Sequence, residues 1–235
     1  MPTTAIVLGA TGAIGQHLVT QLSQRDEVES VIVVTRRELD VAREFPHANA
    51  SRLQPVLLDF ERLEAEVAEL VPAGAMAFVA LGTTKKQAGS KEAFRCVDHG
   101  LVLAFARACK AAGVSRLAVV TAHGANARSS IFYNRVKGEV ERDIQALGLP
   151  CVFFARPSLL LGRPQDGRLA ETWASAVLAP AAGWMPASVR PIDVRQVATA
   201  MAVAALGEAP GATSRVLSNA DMHRCSAAMG QGASG

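Results

Sequence analysis

The sequence predicts an α/β protein built on a doubly wound parallel sheet, followed by a small C-terminal lobe. Three observations carry that expectation. Short, continuous apolar runs alternate with longer stretches of helical periodicity. Three glycines spaced three apart, Gly9, Gly12 and Gly15, join the first run to the first helical stretch. Half of the 235 residues are hydrophobic and 19% are charged, enough apolar material for a large core and too much for a disordered chain.

The strands are expected at "TAIVL" (4–8), "SVIVV" (30–34), "QPVLL" (54–58), "AMAFVAL" (75–81), "RLAVV" (116–120) and "CVFFA" (151–155). Each is a continuous apolar run, not an alternating one, as expected of strands covered on both faces. Between them, Ile14, Leu18 and Leu22 recur along one face of a first helix. Further helices are expected over 61–70, 90–112 and 130–147. Strand–helix alternation carried to a sixth strand, with right-handed crossovers, implies a Rossmann fold. The whole chain is read as a single domain, with residues 1–156 as its nucleotide-binding core.

After residue 156 the pattern changes. The stretch 162–190 sets one short helix among proline- and glycine-bearing loops and holds both tryptophans, Trp173 and Trp184. Residues 157–218 are therefore expected to form a small lobe over the substrate, with Trp173, Trp184 and Met185 as pocket walls or plain core. Within 190–206 a short extended segment precedes an N-capping Asp193 and a helix bearing Val194, Val197 and Met201. Residues 219–235, rich in Gly, Ala and Ser, are expected to fray.

Charge and composition exclude several classes. The net charge of +3 is spread among interspersed acids and bases, which suits a small anionic ligand but not a nucleic-acid surface. Cys96, Cys109, Cys151 and Cys225 form no CxxC, and His17, His47, His99, His123 and His223 have no metal-ligand spacing, so no metal centre is expected. No GxSxG is present to suggest a hydrolase. No basic segment precedes the first apolar run, and no run approaches the roughly 18 apolar residues of a membrane span. A cytoplasmic protein with no membrane partner is the expectation.

Glycines in this position do three jobs in a dinucleotide cradle: a tight turn, close approach to a pyrophosphate, and close packing of helix on strand. Gly9, Gly12 and Gly15 stand in that order, with Thr11, Ala13 and Ile14 completing the turn. A helix starting near Ala13 would aim its free N–H groups at the phosphates. The alternative is an ordinary strand-to-helix turn. The second strand ends "VVTRR", placing Arg36 21 residues beyond Gly15 with no acid before it. An acid there would bind a ribose 2′-hydroxyl, whereas a guanidinium binds a 2′-phosphate, so NADP(H) is favoured over NAD(H), a solvated arginine pair being the alternative. Asp59 would accept a hydrogen bond from adenine or cap its own loop. After the fourth strand, "LGTT" (Leu81, Gly82, Thr83, Thr84) would carry backbone past the cofactor.

The chain's single tyrosine, Tyr133, has Lys137 four residues on, on one helix face. An ammonium beside a phenol favours the phenolate, which suits proton transfer. The bland alternative is a surface tyrosine. Thr121 ends the fifth strand at the ligand-binding carboxyl edge, where its hydroxyl could meet a substrate oxygen. The charge run "KGEVERD" (137–143) reads as a solvated helix face with Glu–Arg pairing.

Together "GATGAIG", "LGTT", Thr121, "YNRVK" and "RPSLLLG" resemble the short-chain dehydrogenase/reductases, especially their atypical and extended branches. "LGTTKKQAGSKEAFRCVDHG" and "FYNRVKGEVERDIQALGLPCVFFARPSLLLG" are more specifically similar to the Tat-interacting-protein-like oxidoreductases. The resemblance spans about residues 4–218. It implies that Tyr133 is the general acid/base, that Lys137 holds the nicotinamide ribose, and that Thr121 replaces the usual serine in polarising a carbonyl. It also implies that Pro157, Leu159 and Leu160 run past the carboxamide. Two positions depart from the family: Ala122 follows Thr121 where a second hydroxyl is common, and Asp98 stands where many extended members carry asparagine.

The expected function is an NADP(H)-dependent oxidoreductase moving hydride to or from a small-molecule carbonyl or alcohol. Ala122 and Asp98 motivate a second reading, an NADPH-binding regulator that does no chemistry. A third, a nucleotide-sugar epimerase, uses the same Tyr and Lys but needs a larger lobe than 157–218. The helices at 90–112 and 130–147 either pair across a two-fold axis or face solvent, leaving homodimer and monomer both open.

Overall fold

Ala5, Ile6, Val7 and Leu8 are wholly buried, so the strand that holds them is the centre of the molecule. The computed structural model describes residues 3–162, 185–207 and 213–232. This strand, β1 (Thr3–Leu8), pairs in parallel with β2 (Val28–Thr35) on one side and β4 (Met76–Val79) on the other. β3 (Leu53–Leu57) extends the sheet beyond β2. On the other side follow β5 (Arg116–Val120), β6 (Cys151–Arg156) and a seventh strand, β9 (Thr213–Ser218). The order is β3-β2-β1-β4-β5-β6-β9, all parallel, so a crevice opens between β1 and β4, where the chain changes direction across the sheet. A short pair, β7 (Leu160–Leu161) with β8 (Ile192–Asp193), stands apart.

Alternate strand residues face two apolar layers. On one side Ala5 and Val7 meet Leu18 and Leu22 of α1 (Ala13–Ser23) and Val197 and Met201 of α8 (Val194–Leu206). On the other, Ile6 and Leu8 meet Leu63 and Val67 of α3 (Leu63–Leu70), Phe105 of α6 (Val102–Ala111) and Ile144 of α7 (Phe132–Ala146). Two short helices, α2 (Val41–Glu44) and α4 (Lys85–Ala88), follow β2 and β4. Asp193 caps α8 through a capping box with Gln196, as its sequence position suggests.

Three expectations change. The helix expected over 90–112 is α5 (Lys91–Arg95), a π-helical stretch Cys96–Leu101, and α6. Apolar periodicity reports a helix but not the extra residue per turn that the π stretch inserts. The seventh strand, "TSRVLS", carries a polar half and lacked an apolar-run signature. Third, the segment after Ser218 is helical, α9 (Asn219–Gly232), with Met222 fully buried in the core that includes Met201. Its small residues suit close packing on α8, so composition was a poor guide to fraying. Trp173 and Trp184 lie outside the described residues; Met185 is partly buried and its carbonyl accepts from Arg190 Nη2 at 3.1 Å.

Candidate cofactor and catalytic site

The glycine turn closes over the crevice at the end of β1. Gly9 has φ +82°, and a Cβ there would fall 2.4 Å from the Leu81 amide nitrogen. Only glycine fits on both counts. The Gly12 amide donates to Gly9 O at 3.1 Å. A Cβ on Gly15 would meet Gly9 O at 2.1 Å, so this glycine lets α1 seat against the turn. No side chain caps α1 and no acid stands in its first turn. The first intrahelical bond runs from Gln16 N to Gly12 O, leaving the earlier amides, from Ala13 and Ile14 onward, without i−4 carbonyl partners. Thr11 is exposed on the same turn. These residues fit a dinucleotide pyrophosphate: a backbone cradle that added methyl groups would fill, at an open helix N-terminus.

At the end of β2, Arg36 is exposed, while Arg37 is drawn to Glu44 at 3.1 Å. Asp59 lies two residues past β3, and its Oδ1 accepts from the Glu61 amide at 3.0 Å, the loop-capping alternative. The four residues after Ala80 divide their work. Leu81 backs the Gly9 turn, Gly82 is exposed, and Thr83 donates its amide to Asp98 Oδ2 at 2.9 Å. The Thr84 hydroxyl accepts from the Gln87 amide at the start of α4.

Tyr133 and Lys137 sit one turn apart on α7. The Tyr133 ring is partly buried and tilts against Phe94 of α5 with centroids 5.7 Å apart. Lys137 Nζ is buried and lies 2.7 Å from Asp98 Oδ1 of the π-helical stretch. A Cβ on Gly82 would stand 3.8 Å from that Nζ, so the lysine head reaches the loop after β4. Gly138 sets the height of α7, since a Cβ there would fall 2.2 Å from the Ala127 amide nitrogen. The loop after β5 therefore lies directly on the helix.

Thr121 is not a free donor. It is 3% exposed, and its hydroxyl lies 2.6 Å from Glu141 Oε1 and 3.2 Å from Ala155 O. Both neighbours are acceptors, so the single hydroxyl proton is taken up inside the protein. The Arg156 guanidinium holds the same carboxylate, Nε to Oε1 at 3.0 Å and Nη2 to Oε2 at 2.5 Å. The expectation that Thr121 polarises a substrate carbonyl is corrected accordingly: the hydroxyl serves a buried carboxylate. The reading of 137–143 as a solvated face is corrected too, because Lys137, Gly138 and Glu141 are buried. Only the Arg142–Asp143 side of that run faces water. Sequence reasoning missed Gly138, Glu141 and Arg156; the one available signal was a glycine in mid-helix, which marks a close approach.

Beyond β6, Pro157 O accepts from the His123 amide at 2.8 Å, and Leu159 O accepts from the Ile192 amide at 2.9 Å. Leu160 pairs with Ile192 in the small sheet, while the Leu159 side chain is exposed. This strand of chain thus leaves the main sheet on the same carboxyl edge as the glycine turn.

Comparison with known proteins agrees with this architecture. A family model described as NAD(P)H-binding matches residues 9–171. A protein of Aspergillus fumigatus named "Protein fmp52, mitochondrial" is 35% identical over 165 residues, covering 70% of each chain. A UDP-N-acetylglucosamine 4-epimerase from Methanobrevibacter ruminantium, solved with UDP-N-acetylmuramic acid, superposes with TM-score 0.68 at 16% identity, covering 92% of this chain and 76% of that one. ElxO, solved with NADP bound, gives TM-score 0.65 at 11% identity, covering 92% and 96%. At such identities the last two are likenesses of fold. The fungal name overturns the expectation of a cytoplasmic protein; an apolar signal segment is only one form of cellular address.

Proposed function

The chain belongs to the family described as NAD(P)H-binding, and from that premise we propose that it is an NADP(H)-dependent oxidoreductase of the short-chain dehydrogenase/reductase kind, acting on a small-molecule carbonyl or alcohol. One observation carries the reading. Lys137 and Tyr133 stand one turn apart on α7, with the lysine head against the loop after β4, on the same sheet edge as the glycine cradle.

In this reading Gly9, Gly12 and Gly15 hold the pyrophosphate, and exposed Arg36 takes the ribose 2′-phosphate. Lys137 holds the nicotinamide ribose. When bound, the nicotinamide supplies a hydride to a carbonyl carbon or accepts one from an alcohol. Tyr133 gives its phenolic proton to the substrate oxygen, or takes it back in the reverse direction. Thr121 acts indirectly, by fixing Glu141 and the loop that lies on α7.

The commitment of Thr121 to Glu141 favours a second reading, a protein that binds the nucleotide and passes on its occupancy without chemistry. Reduced-nicotinamide fluorescence and turnover separate the two. The oxidoreductase reading expects NADPH to bind at least tenfold more tightly than NADH, Arg36→Ala to remove most of that preference, and a carbonyl panel to give turnover. Tyr133→Phe should then lower kcat by about a hundredfold or more, with NADPH affinity unchanged. Tight NADPH binding without turnover on any carbonyl leaves the regulator. Full turnover by Tyr133→Phe removes Tyr133 as the acid.

A further inference from the structure

We propose that a cavity on the flank of α7, outside the cofactor crevice, is a second binding site and takes a small oxyanion, a phosphate or a carboxylate. The cavity holds about 310 Å³, at the lower end of small-molecule pockets, and Asn126, Glu141, Arg142, Gln145 and Arg156 wall it. The loop after β5 supplies one wall, α7 another and the end of β6 the third. The cavity lies down the helix from Tyr133 and Lys137: Glu141 stands one turn beyond Lys137, and Gln145 two.

Two guanidiniums line the cavity, and each is fixed in the same way. A guanidinium carries five donors in a planar fork, so one acid can hold one edge and leave another free. Glu141 takes the Nε and Nη2 edge of Arg156, at 3.0 and 2.5 Å. Asp143 takes the Nε and Nη2 edge of Arg142, both at 2.8 Å. Among the described residues, Nη1 of neither arginine makes a hydrogen bond. The Arg156 side chain is 32% exposed against 6% for Glu141, so the open member of that pair is the cation. Glu141 is further committed to the Thr121 hydroxyl at 2.6 Å. Asn126 turns its oxygen to the Arg128 amide at 2.9 Å, which leaves its Nδ2 as a further donor. Donors held in place before binding cut the ordering cost of a ligand, and fixed guanidiniums match the acceptor oxygens of an anion. An occupant would touch loop and helix together where they meet at Gly138, next to Lys137.

The test is calorimetric titration of the full chain with inorganic phosphate and with malonate. Wild type should bind at least one of them with a Kd of about 1 mM. Arg142→Gln should weaken that binding about tenfold, the loss expected of one charge-assisted contact. The Arg142 side chain is 63% exposed, so this variant keeps the fold. Arg156→Lys keeps a cation for Glu141, removes the fork and should weaken binding as much. Should it not fold, Asn126→Ala takes its place, with a loss of about threefold. Arg107→Gln removes an equal charge from α6, where the partner is Glu64, and should leave affinity within about twofold. The anion that binds more tightly names the occupant as free phosphate or a small carboxylic acid. No binding of either by about 20 mM overturns the proposal. So does equal weakening by Arg107→Gln. An affinity that Arg142→Gln leaves unchanged overturns it too, and puts the anion elsewhere, at the glycine turn.

Discussion

Glu141 shows what single residues decide here. It is 4% exposed on a helix whose sequence looked solvated, and Thr121 and Arg156 satisfy it. Leaving a buried carboxylate short of a donor costs about 1–3 kcal/mol. Thr121→Val should therefore lower stability in urea by about that amount, and Thr121→Ser should recover most of it. A valine variant of unchanged stability that has lost turnover would instead return Thr121 to the substrate. Gly9 and Gly15 are the opposite case. Their need for a missing Cβ follows from spacing alone, and the structure supplies only the atoms they would strike.

At the scale of elements, the contact between the α5–π–α6 helix and α7 orients Tyr133 and Lys137. Asp143 is one of its outer pins. The bond from Arg142 holds its carboxyl below the ordinary aspartate range; burial opposes it as the next largest effect, and His99 lowers it further. A depressed carboxyl stabilises the fold above its unfolded pKa and loses that contribution as pH falls through the folded value. For a pair this close to solvent the contribution is about 0.5 kcal/mol. Asp143→Asn should lower Tm by roughly 1–2 °C at pH 7, and the gap should close as pH falls toward 3. A gap that stays constant across that range would mean the carboxylate charge is not what acts. Periodicity made both helices legible, but neither the π stretch nor the partner of Asp98, because both depend on what lies across the contact.

For the whole molecule, the seventh strand and α9 close the layer that α1 and α8 begin. Asn219 is 1% exposed and stitches this end: its Oδ1 accepts from the Ser158 amide, and its Nδ2 donates to the carbonyls of Ala187 and Arg190. Met222 is buried completely beside this junction. Truncating a buried methionine costs about 2–5 kcal/mol. Met222→Ala should lower Tm by roughly 5–15 °C. A frayed tail would leave the melting curve where it was.

The sequence by itself determined six of the strands, most of their helices and the place of the glycine turn, though it read β3 as covered on both faces where the sheet edge leaves Gln54, Pro55 and Leu57 exposed. Those features depend on runs of apolar residues and on backbone conformations only glycine adopts, both local properties. It also placed Tyr133 and Lys137 on one face, since a four-residue spacing needs no knowledge of neighbours. Only the tertiary structure decided which polar groups are buried against which. Thr121 meets Glu141 across 20 residues of sequence, Lys137 meets Asp98 across 39, and Asn219 meets Ser158 across 61. A buried charge is chosen by the partner that the fold brings to it, and no local pattern along the chain records that partner.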